Sequence, residues 1–346
     1  MQTKAWGAKK AGARIESLSI ERREPGPHDV QLEILFCGIC HSDIHQARDE
    51  WGEGIFPMVP GHEIVGRVAK AGSAVTRFKT GDLAGVGCFV DSCRVCEPCK
   101  RGLQQFCVQR AAFTYNGTEM DKKTPTYGGY SASIVVDEGY ALKIPAGLDP
   151  AAAAPLLCAG ITTFSPLKRF NAKKGDRVAV VGLGGLGHMG VKLAASLGAE
   201  VTVLSTSKAK SADAQRLGAA HFESTRDAGT FAKLRGRFDL ILDTVSAPHS
   251  YDDYLGLLRP LGNMVIVGIP PEPTPVAAFS LIGGNRALVG SSIGGIPETQ
   301  EMLDHCAAKK LASDIEIIPA KQINEAWERT IKGDVRYRFV IDSATL

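Results

Sequence analysis

The sequence predicts an α/β protein of two domains, one rich in antiparallel β-structure and one built on a doubly wound parallel sheet. A length of 346 residues favours two domains. Short β-branched runs broken by glycine and proline occupy the chain up to about residue 150. From there, short apolar runs alternate with helix-length segments, and this alternation predicts parallel strands joined by helices.

The first part of the chain contains three runs that alternate like half-buried strands. They are Val30–Phe36, Glu63–Ala69 and Ser133–Val136. Turn signals lie between them at Pro60-Gly61 and Gly81-Asp82. This half is therefore predicted to be an antiparallel β assembly.

The second part predicts strands and helices in alternation. A helix begins near Ala151, and another, His188–Leu197, follows a glycine-rich turn. The predicted strands are Arg177–Val181, Val201–Leu204, Phe238–Asp243, Met264–Val267 and Arg286–Val289. After about residue 292, a helix over Glu298–Lys310 and a strand over Arg338–Asp342 complete the prediction.

Composition and charge exclude several classes of function. Hydrophobic residues make up 44% and charged residues 22%, which is enough for ordinary cores. The net charge of +3 is small and the basic residues are dispersed, so neither a nucleic-acid nor a membrane partner is expected. The N-terminal segment has no apolar signal-like region, and no run of about eighteen apolar residues occurs. We therefore expect a cytoplasmic protein.

A dinucleotide fingerprint follows the strand at 177–181 and opens the next helix. In Gly182-Leu-Gly184-Gly185-Leu-Gly187, the first glycine permits a tight turn and Gly184 lets the backbone approach a pyrophosphate. Gly187 allows the helix and strand to pack closely, and the helix N-terminus attracts the phosphates. The motif predicts a Rossmann cofactor domain, and the alternative is a glycine-rich connector.

The end of the second strand indicates which dinucleotide binds. An NAD site usually has Asp or Glu there, to accept a hydrogen bond from the ribose 2′-hydroxyl. This chain has Ser205-Thr206-Ser207-Lys208, with Lys210 close by. Hydroxyls and lysines suit a 2′-phosphate, so NADP(H) is predicted. The alternative is a solvated loop that accepts either cofactor.

Four cysteines lie within fifteen residues: Cys93, Cys96, Cys99 and Cys107. Four thiolates fill a tetrahedral zinc ion, and this predicts a structural site that folds a loop with little core. An iron–sulfur site is the alternative. The bacterial ferredoxin run, however, has three residues before its fourth cysteine and a proline after it, whereas here seven residues intervene and Val108 follows.

A second, dispersed set consists of Cys40, His62 and Cys158. Two thiolates and one imidazole leave one position of a zinc ion open, as in catalytic sites. Glu63 can act beside this site or as an occasional ligand, and Asp43 can orient a ligating imidazole. Taken singly, each residue could equally be a buried core residue.

Eight segments together resemble the zinc-dependent medium-chain alcohol dehydrogenases. The likeness spans essentially the whole chain and is closest to the cinnamyl alcohol dehydrogenase branch, with its bacterial NADPH-dependent aldehyde reductases. The segments are Cys40–Asp43, Gly61–Gly66, Cys93–Cys107, Tyr127–Tyr130, Pro155–Thr163, Gly182–Gly190, Ser291–Gln300 and Tyr337–Val340.

The resemblance implies a GroES-like catalytic domain over residues 1–153 and 292–346, interrupted by a Rossmann domain over 154–291. It also implies a structural zinc lobe at about 88–110, two zinc ions per chain, a homodimer and an active site in the cleft between the domains. Cys40, His62 and Cys158 correspond to the catalytic zinc ligands, with Glu63 beside them. Ser42 corresponds to the residue that contacts the substrate oxygen, and His45 to the outer member of a proton relay.

The predicted cofactor-binding residues combine the fingerprint, the end of the second strand and positions implied by the resemblance. They are Thr162, Gly182, Leu183, Gly184, Gly185, Leu186, Gly187, Ser205, Thr206, Ser207, Lys208, Lys210, Val267, Gly268, Ser291 and Arg338.

These motifs predict an enzyme that interconverts primary alcohols and aldehydes with zinc and NADP(H). A polyol dehydrogenase of the same architecture is one alternative, and a zinc-free quinone reductase of the same superfamily is another. A non-catalytic zinc-ribbon binding protein is a third, from a different class, which the small net charge and the open ligand set disfavour.

Overall fold

The computed structural model describes residues 1–346, which form two compact units. The first unit comprises Met1–Cys158 and Gly294–Leu346, and the second comprises Ala159–Ile293. No single helix has the length and hydropathy to cross a membrane, although two consecutive ones, at 150–157 and 159–169, meet the criterion together by length and composition.

The N-terminal segment of the first unit contains eleven strands and three helices. The strands are β1 (Gln2–Gly7), β2 (Glu16–Glu21), β3 (Asp29–Gly38), β4 (Ile64–Ala71), β5 (Leu83–Val86), β6 (Phe89–Asp91), β7 (Ala112–Phe113), β8 (Gly117–Thr118), β9 (Pro125–Thr126), β10 (Ser133–Asp137) and β11 (Leu142–Lys143). The helices are α1 (His41–Ala47), α2 (Glu97–Lys100) and α3 (Pro150–Ala153).

The second unit alternates strands with helices, and the chain then returns to the first unit. The strands of the second unit are β12 (Arg177–Val181), β13 (Glu200–Ser205), β14 (His221–Ser224), β15 (Phe238–Asp243), β16 (Leu258–Ile266) and β17 (Ala287–Gly290). Its helices are α4 (Ala159–Arg169), α5 (Gly187–Ser196), α6 (Ser211–Arg216), α7 (Thr230–Lys233), α8 (Tyr251–Leu255) and α9 (Ala278–Ile282). The returning segment contains α10 (Ile296–Lys309), β18 (Ile315–Pro319), α11 (Ile323–Lys332) and β19 (Arg338–Asp342).

A seven-stranded sheet organises the first unit around β3. The strand order is β11-β5-β4-β3-β19-β18, and β10 also pairs with β3. All pairs are antiparallel except β18 with β19. Near its end, β3 places Cys37 opposite Ile64 of β4 and Gly38 opposite Val340 of β19. This register brings the residues just after β3, just before β4 and at the start of β19 to one edge of the sheet.

Gly38 shows how tightly that edge is built. A Cβ added at this residue would lie 1.9 Å from Glu63 Oε2 and 3.0 Å from Glu63 Cβ. The Gly38 N–H also donates to the Glu63 carbonyl at 2.9 Å. Only glycine therefore lets the end of β3 lie directly against the Glu63 side chain.

A six-stranded parallel sheet forms the second unit, in the order β14-β13-β12-β15-β16-β17. Its central strands β12, β13 and β15 are apolar and buried on both faces, as covered parallel sheets require. The order reverses between β12 and β15, and ligands of such sheets bind at the carboxyl ends of strands beside this switch point. The predicted α/β fold class, with its doubly wound parallel sheet, is confirmed.

Most of the predicted elements are present. The predicted bounds of β12, β15 and β19 coincide with those observed. Elements that were not predicted include β1, β2, β5, β14, β18, α1 and α11. Helix α11 buries Ile323, Ala326, Trp327 and Thr330 at helical spacing. This pattern is the signal that could have revealed α11.

Candidate active site

Four buried side chains that could bind a metal ion meet at the edge of the first unit's sheet and form a donor set. They are Cys40, His62, Glu63 and Cys158. Their ligand atoms all lie within 4.8 Å of one another. The Cys40 and Cys158 sulfurs are 4.0 Å apart. Tetrahedral zinc with bonds of about 2.3 Å holds two thiolates about 3.8 Å apart, so these residues fit a zinc ion.

Three local structures deliver these donors. Cys40 follows β3 and is the N-cap of α1, whereas His62 and Glu63 directly precede β4. Cys158 ends the 3₁₀ turn Ala154–Leu157, which continues from α3. The donor set thus depends on strand pairing between segments that are far apart in the sequence.

Hydrogen bonds to the buried carboxylate of Asp43 fix two of these metal-binding residues, Cys40 and His62. Its Oδ1 accepts hydrogen bonds from the Gly61 amide and from His62 Nδ1, both at 3.1 Å. Its Oδ2 accepts from the Cys40 amide at 3.0 Å and from the Tyr130 hydroxyl at 3.1 Å. Since Nδ1 carries the proton, His62 Nε2 keeps a lone pair for a metal, as second-sphere carboxylates usually arrange. The predicted contact of Asp43 with the imidazole is confirmed.

Glu63 and Arg338 form a fully buried ion pair beside the set. Arg338 donates to Glu63 Oε1, whereas Glu63 Oε2 is buried and has no hydrogen-bond partner. Burial raises the pKa of Glu63 to about 7, against the lowering effect of the Arg338 guanidinium. An orphaned carboxylate oxygen within a donor cluster is chemically suited to a cation. Arg338 was predicted to bind cofactor; its guanidinium here contacts Glu63, and the cofactor role stays a prediction.

Ser42 and His45, three residues apart on α1, lead from the donor set towards the surface. The Ser42 hydroxyl lies 3.7 Å from the Cys40 sulfur. His45 Nδ1 lies 2.5 Å from Glu50 Oε2, and the His45 ring stacks on Trp51 with centroids 5.0 Å apart. The His45 side chain is 31% exposed, so it is accessible to water.

The four-cysteine loop forms a second donor set in the first unit. The sulfurs of Cys93, Cys96, Cys99 and Cys107 lie within 4.8 Å of one another, and Cys93 Sγ is 3.9 Å from Cys99 Sγ. Backbone N–H groups of Cys93 and Cys96 point at sulfurs of the set at 3.4 Å. The large apolar side chains of this loop are mostly exposed: Val95, Phe106 and Val108. The loop therefore has little core of its own, and the four sulfurs fit a tetrahedral zinc ion.

The glycine turn of the second unit has the geometry that the fingerprint predicts. Gly182 follows β12 with a φ of +85°. A Cβ on Gly187 would lie 2.1 Å from the Gly182 carbonyl oxygen, so close packing requires glycine there. A Cβ on Gly184 would meet no atom within 4 Å. The backbone at Gly184 is thus open to a ligand, and the turn fits a pyrophosphate above the N-terminus of α5.

Other predicted cofactor residues lie at the carboxyl ends of neighbouring strands. Ser205 ends β13, Val267 and Gly268 follow β16, and Ser291 follows β17. A Cβ on Gly268 would lie 2.3 Å from the Val245 carbonyl oxygen. Thr162 is buried on α4, which packs beside α5. The sheet thereby gathers at one edge residues that the sequence spreads over more than a hundred positions.

The segment after β13 carries hydroxyls and lysines. The Ser207 amide donates to Ser205 Oγ at 3.3 Å, and Lys210 Nζ donates to the Leu183 carbonyl at 2.7 Å. Lys208 Nζ pairs with Asp227 Oδ1 at 2.8 Å, although both side chains are largely exposed. Exposed ion pairs contribute about 0–1 kcal/mol, so a competing phosphate can displace Asp227.

Comparisons with known proteins agree with both units. Residues 26–146 match the alcohol dehydrogenase GroES-like domain, and residues 185–308 match the zinc-binding dehydrogenase family. NADP-dependent alcohol dehydrogenase C 1 of Mycolicibacterium smegmatis is 56% identical over 343 residues, covering 99% of this chain and 98% of that protein. The chain belongs to the zinc-binding alcohol dehydrogenases.

Two further likenesses bear on the branch of this dehydrogenase. Aldehyde reductase YahK of Escherichia coli is 53% identical over 349 residues, covering 100% of this chain and 99% of that protein. A solved cinnamyl alcohol dehydrogenase from Sorghum bicolor superposes with a TM-score of 0.97 at 42% identity, covering 99% of this chain and 98% of that one. The predicted resemblance to the cinnamyl alcohol dehydrogenase branch is confirmed.

Two residues near the sites of this dehydrogenase, Glu50 and Thr244, were missed by sequence reasoning. Glu50 contacts His45. Tyr115, which the sequence suggested as a pocket residue, stacks its ring on His62 with centroids 5.8 Å apart. Thr244, directly after β15, donates to the Val181 carbonyl at 2.7 Å and so braces the glycine turn. Its position after a predicted strand beside the switch point is the signal that could have found it.

Proposed function

We propose that this protein interconverts aldehydes and primary alcohols with NADP(H) as the hydride carrier and zinc as the catalytic metal. The observation that carries the proposal is the buried donor set of Cys40, His62, Glu63 and Cys158, with one carboxylate oxygen left unpartnered. The names of the alcohol dehydrogenase and aldehyde reductase relatives support the reaction and the cofactor.

Cys40, His62 and Cys158 would hold the catalytic zinc, and Glu63 would be an alternative ligand. When bound there, zinc supplies a Lewis acid that polarises the substrate oxygen. Asp43 keeps His62 in the tautomer with a free Nε2. Cys93, Cys96, Cys99 and Cys107 would hold a structural zinc that orders their loop.

Ser42 and His45 would move the proton that the reaction requires. The Ser42 hydroxyl can donate one hydrogen bond while accepting another, so it can pass a proton to the reacting oxygen without being a base. His45, partly exposed and oriented by Glu50, would exchange that proton with solvent.

NADP(H) would bind at the carboxyl edge of the second unit's sheet, where it supplies hydride. The glycine turn would bind the pyrophosphate, and Ser205, Thr206, Ser207, Lys208 and Lys210 would bind the 2′-phosphate. The hydroxyls and the two ammonium groups support this choice, since no carboxylate lies within 205–208.

A homodimer is the proposed assembly. β17 is an edge strand of the parallel sheet, and unpaired edges favour pairing with another chain. The neighbouring helix α9 exposes Phe279 (83%) and Ile282 (67%), which support an apolar contact with a second copy. Sedimentation of the wild type as a dimer and of Phe279→Asp/Ile282→Asp as a monomer is expected. A wild-type monomer would contradict the proposal.

The proposed location is the cytoplasm. All nine cysteines are free thiols, and six of them belong to the two donor sets. Thiolate zinc sites persist in reducing compartments, where disulfides are rare.

The test is an initial-rate panel on protein of measured zinc content. We expect turnover of aliphatic or aromatic aldehydes with NADPH, slower turnover with NADH, and two zinc ions per chain. Sugar alcohols serve as the comparison arm, since preferred oxidation of these would indicate a polyol dehydrogenase. Absence of turnover in protein with both zinc sites filled would contradict the proposal.

A further inference from the structure

Two buried tyrosines lie behind the two donor sets of the first unit. Tyr130 is 0% exposed and Tyr140 is 4% exposed. Each hydroxyl contacts one intermediate side chain, and that side chain contacts one member of a donor set. The two arrangements lie in the same unit and differ in the set that they reach.

The first arrangement runs from Tyr130 through Asp43 to His62. The carboxylate of Asp43 is wholly buried, and an ionised carboxylate only accepts hydrogen bonds. The Tyr130 hydroxyl therefore donates its hydrogen to Asp43 Oδ2 at 3.1 Å, and the lone pairs of the phenol oxygen point away from Asp43. Together with three N–H donors, the Tyr130 phenol makes four hydrogen bonds to Asp43, and the Tyr115 phenol also interacts with this carboxylate.

Two further contacts fix the position of the Tyr130 ring. Trp327 on α11 donates its indole N–H to the Tyr130 oxygen at 3.4 Å. The Tyr130 amide donates to the Pro60 carbonyl at 3.0 Å, and Pro60 is two residues before His62. The phenol is thus held by the segment that carries the ligand and by a helix from the C-terminal part of the chain.

The second arrangement runs from Tyr140 through Ser92 to Cys99. Ser92 Oγ lies 2.6 Å from the Tyr140 hydroxyl and 3.1 Å from Cys99 Sγ. A zinc-bound Cys99 is a thiolate without a proton, so Ser92 must donate to the sulfur and Tyr140 must donate to Ser92. The Arg94 guanidinium lies 5.2 Å from the Tyr140 ring centre and restrains the ring.

We propose that Tyr130 and Tyr140 are paired positioning residues, each of which stabilises one zinc site through a single intervening side chain. This inference rests on the proposed function, because it takes both donor sets as zinc sites. Neither tyrosine touches a ligand through its own hydroxyl, so each acts on the metal only through Asp43 or Ser92.

The predicted consequence is selective. In Tyr130→Phe, Asp43 Oδ2 loses one of its two donors at a site with no exposed surface, so the orientation of His62 is less well fixed. In Tyr140→Phe, Ser92 is free to turn away from Cys99. Loss of such an outer contact typically weakens metal binding about 10–100-fold. Each variant should therefore loosen one zinc and spare the other.

The experiment measures zinc transfer from the holoenzyme to the chromogenic chelator 4-(2-pyridylazo)resorcinol. His62→Ala identifies the catalytic site, because this variant should lack the corresponding zinc and its kinetic phase. We expect Tyr130→Phe to accelerate that phase about tenfold or more and to leave the other within about twofold. Tyr140→Phe is the matched control and should give the reverse pattern. With zinc saturating, Tyr130→Phe should also lower kcat without raising KM for NADPH.

The outcomes separate this proposal from the proposed function. If His62→Ala retained two zinc ions, the assignment of the catalytic site would itself be wrong. If His62→Ala lost one zinc but Tyr130→Phe released both at wild-type rates, or both equally faster, only the positioning role would be overturned. Should Tyr130→Phe not fold, Trp327→Phe provides the second test, since removing the indole donor should accelerate the same phase. An unchanged phase in Trp327→Phe would then overturn the proposal.

Discussion

The candidate sites of the two units of this dehydrogenase differ in what forms them: side chains in the first unit and backbone in the second. The first unit uses side chains, whose ligand atoms converge within 4.8 Å in each of two donor sets. The second unit uses backbone: an added Cβ would lie 2.1 Å from a backbone carbonyl oxygen at Gly187 and 2.3 Å from one at Gly268, and it would meet no atom within 4 Å at Gly184. Side-chain chemistry therefore limits substitution at the donor sets of the first unit, whereas the volume near the backbone limits it at Gly187 and Gly268 of the second unit.

The same contrast appears in two aspartate–histidine pairs, one in each unit. In the first unit, Asp43 binds His62 Nδ1 and leaves Nε2 directed to the donor set. In the second unit, His249 Nε2 lies 3.0 Å from Asp243 and its Nδ1 lies 2.8 Å from the Ala247 carbonyl. A ring whose two nitrogens both face acceptors is satisfied as an imidazolium. The Asp43–His62 pair orients a residue that could bind a metal, whereas the Asp243–His249 pair stabilises the loop that carries His249.

The largest effect on activity is expected when a metal-binding side chain of the first unit is removed. His62→Ala should lower kcat/KM by about a thousandfold or more, because several kcal/mol of Lewis-acid stabilisation is lost. Metal analysis should find one zinc per chain instead of two. Thermal unfolding of the second unit should be unaffected. Substantial residual activity would show that the donor set is not the reaction centre.

The next largest effect is expected from a new negative charge in the second unit, which should change the cofactor preference. Ser205→Asp puts a carboxylate at the end of β13, where the 2′-phosphate is proposed to bind. Repulsion of about 3 kcal/mol corresponds to about a hundredfold fall in the preference for NADPH over NADH. The ratio of the two kcat/KM values is the measurement, with Ser205→Ala as the uncharged control. An unchanged ratio would remove the support for NADP(H) selectivity.

The backbone nature of the second site can be tested with two glycines. Gly184→Ala meets no neighbouring atom, so folding should be normal while NADPH binds about tenfold more weakly, because the methyl group occupies the ligand's approach. Gly187→Ala clashes with the Gly182 carbonyl and should lower the melting temperature as well. Fluorescence titration with NADPH and calorimetry distinguish the two. Equal losses of stability would contradict the contrast between the units.

The smallest effect concerns pH. Burial alone lowers the pKa of His249, but hydrogen bonds to Asp243 and to the Ala247 carbonyl outweigh it and raise the pKa above the usual 6.5. The resulting stabilisation is complete below about pH 6.5 and is lost as the pH rises through the folded pKa. Because the pair is only partly buried, we expect about 0.5–1 kcal/mol. The free energy of unfolding should show this decline in the wild type, and a decline of equal size in His249→Gln would refute it.

Local patterns made some of this predictable from the sequence. The four-cysteine loop and the turn at 182–187 are encoded within short segments, so spacing alone identifies them. Strands β12, β15 and β19 are short apolar runs with clear ends, and their bounds were predicted as observed.

Contacts set by long-range register were not predictable. That Arg338 pairs with Glu63 follows from β19 lying beside β3, and no local pattern states which strands are neighbours. The role of Tyr130 was equally hidden, because its motif is visible but its contact with Asp43 depends on the fold of three distant segments. Helix α11 was missed although its burial pattern is helical.

The first unit is made of two separate chain segments, so the residues of its donor sets and their partners are synthesised at different times. All four sulfurs of the structural set are present once residue 107 has been synthesised, and Cys40, His62 and Cys158 are present by residue 158. Arg338, the partner that neutralises Glu63, lies 275 positions after it in the sequence. A nascent chain on the ribosome can therefore complete its four-cysteine loop early. The set of Cys40, His62, Glu63 and Cys158 gains the guanidinium that compensates Glu63 only after residue 338 has been added.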